Sequence, residues 1–312
     1  MKTTDVLGCI CSAGILLFAS AWVPYIGPFF SLLTPLPFLY YASKLGLNQG
    51  LKMIAVSILI LGLLANLAGH PEVIFLCIEF GLLGLIISEI FRREFSFGYA
   101  IFFGTAVMLL IGMIILTIVG LSKGMGPLEV TLNYFQGNLK EALSVYEDKG
   151  SDQEKVVQLQ EYAKVFTYVI SRIYPALVVI GTGLVVWLNM IISKPLFRLG
   201  NLRYPDFGPL DRWQAPEFLV WGVIAVGFSL FLSVSGVKLL AINTLIVLLI
   251  IYVFHGLSII LFLLNKYQVP PWMRVGVYLL IIFQQIFLIG LCMAGIFDQW
   301  VDFRKIHKKS KA

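Results

Sequence analysis

Charge is what this sequence has least of. Only 13% of its 312 residues are Asp, Glu, Lys or Arg, while 59% are hydrophobic and the mean hydropathy is +0.91. Soluble domains carry about a quarter of their residues charged, so a soluble globular chain is excluded. The four cysteines, Cys9, Cys11, Cys77 and Cys292, lie inside apolar runs and show neither a CxxC nor Cys/His ligand spacing, which speaks against a disulfide framework and a zinc site. There is no GxxxxGK[ST] loop, so the chain is not expected to hydrolyse ATP. No HExxH, no GxSxG and no pair of intramembrane aspartates is present, so neither an enzyme nor a cofactor is expected. The net charge of +6 comes from basic residues in loops, which orient membrane proteins; nucleic acid is not an expected partner. No small-residue cleavage site follows the first apolar run, which reads as a retained helix.

What is present is a series of apolar runs of the length a hydrocarbon core of roughly 30 Å demands. The expected fold is an all-α polytopic membrane protein of about nine (eight to nine) helices, over 6–23, 28–43, 51–68, 73–91, 97–120, 167–193, 218–236, 239–265 and 273–296. Basic residues fall on alternate connections: Lys44 and Lys52; Arg92 and Arg93; Lys194, Arg198, Arg203 and Arg212; Lys266 and Arg274. By the positive-inside rule these face the cytoplasm, and the expected location is a bacterial cytoplasmic (inner) membrane. One conflict stands. Nine crossings put the basic tail with Arg304, Lys305, Lys308, Lys309 and Lys311 outside; either the last apolar region, with Gln284 and Gln285 near its centre, is re-entrant, or the tail is an exception.

Pro24, Pro28, Pro35 and Pro37 cannot donate backbone hydrogen bonds and disfavour helix before them. The stretch 24–37 therefore reads as a bent outer connection that shapes a cavity lid. "PLPFLYYASKLGLNQGL" at 35–51, with its proline-bearing start and short basic turn, resembles the opening of S components of energy-coupling-factor transporters. Together with "VFHGLSIILFLLNKYQVP" at 253–270 and "GIFDQWVDFRK" at 295–305, it also resembles the YybS-like family of uncharacterised polytopic bacterial membrane proteins. The resemblance implies a six-helix S-component-like portion over 1–200, followed over 201–312 by a cytoplasmic loop, three further helices and the tail. It carries over no catalytic residue.

The segment 121–166 is the only long extramembrane stretch. Leu128, Leu132, Phe135, Leu139 and Leu143 recur every three or four residues, the spacing of an amphipathic helix. A second helix starts at Ser151 or Asp152, whose side chain can cap it, giving an outer helical hairpin that is either a lid or docking element, or a linker with a locally packed stripe.

Polar groups at membrane depth are costly and so carry the functional candidates. Glu79 lies deep in the fourth span at a depth similar to Asn66 on the third; the pair is either a substrate or proton site or a hydrogen bond that fastens the hairpin. Glu89 has Arg92 and Arg93 three and four residues on and reads as an interfacial ion pair. Arg172, one turn before Pro175, either snorkels or binds an anionic group. Asn189 and Asn243 read as interhelical hydrogen bonds. His255 is either a titrating group or a satisfied core histidine. Asp298 and Asp302 read as an ion-paired helix end beside Arg304. The candidate substrate-binding set is Glu79, Asn66, Arg172, Asn189 and His255.

Two functional readings follow. One is a solute-binding or transport-related membrane subunit without its own ATPase, which takes a small-molecule solute. The other is a non-transporting envelope protein that docks membrane lipids, a membrane protein partner or a second copy of itself.

Overall fold

The structure, a computed structural model, describes residues 2–22, 27–71, 73–148 and 153–304. The regular elements of these residues are helices: α1 (Thr3–Trp22), α2 (Gly27–Leu32), α3 (Pro35–Leu45), α4 (Leu47–Leu67), α5 (Val73–Arg92), α6 (Phe97–Lys123), α7 (Pro127–Asp148), α8 (Gln153–Leu199), α9 (Phe218–Ser229), α10 (Ser235–Lys266), α11 (Pro271–Phe283) and α12 (Gln285–Val301), with a 3-10 turn at Leu210–Arg212.

Among the described residues five helices are long and apolar enough to cross a bilayer: α4, α5, α6, α8 over Gln158–Leu199, and α10. The expected nine are not confirmed: α1 counts as a shorter apolar helix over its described stretch Thr3–Ala19, and the other segments differ for physical reasons of their own. The run 28–43 is broken at Leu33 and Thr34 into α2 and α3, and the 11 residues of α3 rise only about 16 Å. The 12 residues of α9 rise about 18 Å. α11 and α12 are bent by 100° at their junction.

The chain divides into two compact units. The first, Met1–Thr167 with Gly181–Asp206, is built around α3 and α5. Pro35 opens α3 at a position where its missing N–H costs nothing, and Pro35, Leu36, Pro37, Phe38 and Leu39 are all buried. A Cβ on Gly84 of α5 would lie 2.6 Å from the backbone nitrogen of Leu39, so the helices touch backbone to backbone. The expected lid is therefore corrected: 27–32 is helical and 35–39 is a core wedge, while Pro24 lies outside the described residues. Gly46 makes the turn into α4 with φ +88, a conformation favoured by glycine.

Polar contacts gather the basic connections of this unit. Lys44 Nζ donates to Asp5 at 2.6 Å, Arg92 donates to the Ala42 carbonyl at 2.9 Å, and Arg203 pairs with Glu94. Glu89 lies 3.6 Å from Arg92 and 3.7 Å from Arg93, the ion pair expected from the spacing. Tyr204 donates to the Met190 carbonyl at 2.9 Å with its ring against Phe91 and Phe197; burial pushes its phenol up to about 12. α7 and α8 meet through Phe135 and Phe166, 6.0 Å apart. The side chains of Leu139 and Leu143, and the Ser151 or Asp152 cap, lie outside the described residues.

The second unit, Tyr168–Ile180 with Phe207–Ala312, is organised by α10 and α12. Cys292 meets the Leu249 carbonyl and Asp298 meets His255, each pair 43 positions apart. A Cβ on Gly295 would overlap the carbonyl of Tyr252 at the same separation. A constant offset means the two helices run parallel. α11 must therefore bring the chain back, and contacts at its two ends confirm that it does. Arg274, in the first turn of α11, donates to Asn265, which donates to Asp211; Arg304, just past α12, donates to the Asp211 carbonyl. Entry and exit of the bent pair are held at one loop, so α11 and α12 form a hairpin with Gln284 at its tip.

The hairpin depends on small residues at the α10–α12 crossing, because a Cβ at Gly256 would overlap the Leu291 carbonyl while one at Gly276 or Gly290 meets nothing within 4 Å. Gly256→Ala and Gly295→Ala should each destabilise by roughly 1–3 kcal/mol. Gly276→Ala and Gly290→Ala should be neutral or slightly stabilising. Thermal unfolding in mild detergent reads the contrast, and equal effects at all four positions would refute the crossing.

Candidate functional site

The residues singled out in the sequence divide between the two units. Glu79, Asn66 and Asn189 belong to the first unit, Arg172 and His255 to the second. Asn66 is exposed, while Ala65, Gly62 and Leu61 beside it turn inward. The Glu79 carboxylate faces α6, where a Cβ on Gly112 would lie 4.0 Å from Oε1. Among the described residues no hydrogen bond joins Glu79 to Asn66. Gly62 of α4 meets Ile74 of α5, and Gly81 meets Ile54 and Ile58, so Glu79 lies opposite the turn around Ser57 while Asn66 stands at the end of α4, and the similar depth expected of the pair does not hold. A cavity of about 160 Å³ between α1, α4 and α5 is lined by Leu17, Leu61, Ala65, Val73 and Leu76, with His70 as its polar group; neither Glu79 nor Asn66 lines it.

Asn189 is fully buried and spans two carbonyls, Val185 one turn back and Leu32 at the end of α2, both at 2.8 Å. Its amide fastens α8 to the proline-rich segment, while its Oδ1 stays buried without a hydrogen-bond partner among the described residues. Arg172 is exposed, its guanidinium 4.6 Å over the ring of Tyr168, the geometry of a cation held at an aromatic face.

Asn243 has the more specific task. Pro175 removes a donor from α8 and crowds the preceding turn. There the Asn243 carbonyl oxygen accepts from the Ala176 N–H at 2.9 Å, and its amide donates to the Arg172 carbonyl at 2.8 Å. The side-chain amide thus stands in where the ladder around the proline is weak, and it ties this stretch of α8 to α10.

The densest chemistry is a cluster that sequence reading left in separate places. α10 presents His255 and, one turn on, Ser258; α12 presents Asp298 near its end. Asp302, at φ 48, then reverses the chain in the left-handed region that aspartate tolerates, and Arg304 folds back over the helix end. His255, Asp298 and Arg304 are all buried, 1%, 1% and 5% exposed. Arg304 Nη2 lies 2.9 Å from Asp298 Oδ2 and 2.8 Å from His255 Nε2, and that nitrogen is 3.0 Å from the same carboxylate oxygen. Arg304 Nη1 donates to Ser258 Oγ and to the carbonyls of Asp211 and Trp213. Asp298 Oδ1 accepts from the Phe303 N–H at 2.8 Å. The reading of Asp298 as an interfacial helix-end ion pair is corrected: the pair exists, but it is buried and includes the histidine. Four polar atoms of this unit stay buried without a partner, His255 Nδ1, Arg304 Nε, Asp211 Oδ1 and Tyr252 OH.

The one available sequence signal was His255 followed by Ser258 on one helical face. Nothing in the sequence joins position 255 to 298 and 304. Among the described residues no cluster of His, Cys, Asp and Glu has the makings of a metal site.

Two measurements test these assignments. Replacing one partner of a buried ion pair leaves a charge uncompensated, so Asp298→Leu or Arg304→Met should each cost about 3–5 kcal/mol; the double variant should cost clearly less than their sum, and strict additivity in a double-mutant cycle would sink the pairing. Asn243→Ala should cost about 1–3 kcal/mol through the two unpaired backbone groups. Adding Pro175→Ala should recover most of that loss, since the helix can then close its own ladder.

The comparisons with known proteins come to the same class of molecule. The family model described as "Predicted membrane protein (DUF2232)" matches residues 12–299. "Uncharacterized protein YybS" of Bacillus subtilis (strain 168) is 22% identical over 295 residues, covering 93% of each chain. No solved structure matches. With nearly its whole length matched and five helices able to span a bilayer, the chain belongs to the predicted membrane protein family DUF2232.

Proposed function

We propose that this multi-pass membrane protein is a solute-binding or transport-related subunit of the bacterial cytoplasmic membrane, without an ATPase of its own. The observation that carries the reading is the hairpin α11–α12, broken at Gln284 and returned to the loop it left. Irregular backbone at membrane depth is tolerated where it is buried in protein or lines a water-filled path, and helices interrupted in this way build the solute sites of many transporters. Gln284 adopts extended backbone with no side-chain cap on α12, its own N–H donating to the Leu280 carbonyl and its carbonyl accepting from Phe287, and the tip presents two exposed glutamine side chains. The likeness of 35–51 to S components supports a motor-less subunit that works with a separate ATP-hydrolysing partner.

The hairpin also removes the conflict over the tail. If the chain re-enters and returns, residue 304 lies on the side of Lys266 and Arg274, and the basic tail joins the other basic loops in the cytoplasm, as the positive-inside rule asks.

A second reading, a docking protein of the envelope, is favoured by α11. It buries no residue of its own, and Trp272, Leu279, Leu280, Ile282 and Phe283 are exposed. Lipid or a partner protein covers such a face.

Native mass spectrometry of the gently extracted protein separates these readings. A transport subunit retains a small molecule that the Gln284→Leu/Gln285→Leu variant loses. Retention of lipid or a partner protein alone, with no small molecule, rejects the solute reading. Orientation is tested by single cysteines at Tyr267, Ser233 and Ser310: Tyr267→Cys and Ser310→Cys should react from one face and Ser233→Cys from the other. Labelling of 267 and 310 from opposite faces would reject the re-entrant hairpin.

A further inference from the structure

We propose that the His255 cluster is a proton-binding site whose occupancy decides whether Arg304 stays latched, and with it the exit of the hairpin. The proposal stands on the geometry of the cluster and does not rest on a bound solute.

The argument begins with how many protons the three side chains can share. Nε2 of His255 faces two partners at hydrogen-bond distance, the Asp298 carboxylate at 3.0 Å and the Arg304 guanidinium at 2.8 Å. A guanidinium can only donate and a carboxylate can only accept, so one ring nitrogen cannot satisfy both. With the single proton on Nδ1, Nε2 accepts from Arg304, and the two hydrogens of Nη2 serve Nε2 and Asp298 together. That arrangement meets both contacts of Arg304 but leaves Nε2 and Asp298 Oδ2 as two acceptors 3.0 Å apart and the Nδ1 side without a partner. The other tautomer turns an N–H of the ring toward an N–H of Arg304.

A second proton changes the outcome. Taken up from water onto Nε2, it forms an imidazolium whose N–H is directed at Asp298 Oδ2, which lies at the right distance to accept it. The Arg304 guanidinium would then sit 2.8 Å from a like charge, in a site buried from solvent. Coulomb repulsion at this separation is large in any low-dielectric setting. His255 thus replaces Arg304 as the partner of Asp298, and Arg304 is displaced. What it holds goes with it: the contacts to the carbonyls of Asp211 and Trp213 and to Ser258. No covalent bond changes; one proton is gained and one ion pair is exchanged for another.

The other groups facing the site do not supply a competing switch. Tyr252, one turn before His255 on α10, stacks at 6.3 Å, and Trp213 meets the ring edge-on at 6.2 Å. Cys292 of α12 lies in the cluster around Tyr252. Asp211 contributes its backbone carbonyl to Arg304 and its side chain to Asn265. The contacts of Gly256 with Leu291 and of Gly295 with Tyr252 are made to backbone atoms, which carry no titrating charge, so α12 remains seated while its exit opens.

The test is hydrogen exchange of peptides spanning 207–217 and 296–304 in nanodiscs, corrected for intrinsic rates, from about pH 8 to about pH 5, the range in which histidine changes charge. The wild type should exchange in both peptides faster by on the order of tenfold at the acidic end, while His255→Gln, which accepts from Arg304 but never charges, should show the slow exchange at both ends. The same acid response in His255→Gln, or none in the wild type, overturns the proposal. A second measurement needs no change at position 255: imidazole nitrogen NMR in a His70→Gln/His307→Gln background should report the Nδ1–H tautomer at the alkaline end and an imidazolium appearing together with the exchange. An imidazole that stays neutral while the peptides open, or charges without opening them, also overturns it.

Discussion

A buried arginine held between one carboxylate and a ring of carbonyl oxygens is the constraint on which the second unit depends. Arg304 stands after the last helix has ended, and its guanidinium reaches back to Asp298, Ser258, Asp211 and Trp213. The four contacts fall on three stretches of chain: the end of α12, the later part of α10 and the loop around the 3-10 turn. An isolated charge at this burial would be too costly to keep. Paired and hydrogen-bonded, it fixes where α12 ends, and with the Arg274–Asn265–Asp211 chain it fixes that the hairpin leaves and returns at the same place.

The first unit uses a different means to the same end. Close backbone contact at Gly84 seats α3 against α5, and short polar links between Asp5, Lys44, Ala42 and Arg92 join the helix ends. Asn189 and Asn243 spend their amides on backbone carbonyls rather than on a ligand. Buried polar groups are expected to be satisfied in this way, which is why residues that look functional in a hydropathy reading so often prove to be fasteners. His255 differs from them in facing one donor and one acceptor with the same atom.

Much of the helix order was legible because apolar runs and basic loops are one-dimensional signals. The runs at 51–68, 73–91, 97–120 and 239–265 became α4, α5, α6 and α10, and Glu89 met Arg92 and Arg93 because residues three and four apart share a helix face. The runs at 28–43 and 273–296 looked equally good, but a hydropathy window does not register where the backbone turns. Thr34 before Pro35 marks the first break and Gln284 alone the second, and polar residues also occur within the intact α10. Among glycines of the apolar helices, Gly81, Gly84 and Gly295 meet another helix, while Gly181 and Gly290 meet nothing within 4 Å, because packing depends on which face of the helix a residue occupies.

The sequence by itself determined the class of the protein, the order of its apolar segments and the alternation of its basic connections, since each follows from the cost of placing charge and free backbone in hydrocarbon. The tertiary structure decided which apolar runs are continuous helices and which are broken, and it alone joined His255 to Asp298 and Arg304. The physical reason is that helix rotation and chain reversal are set by contacts between residues tens of positions apart, such as the 43 separating His255 from Asp298, and no local pattern encodes which distant partner a buried polar side chain will find.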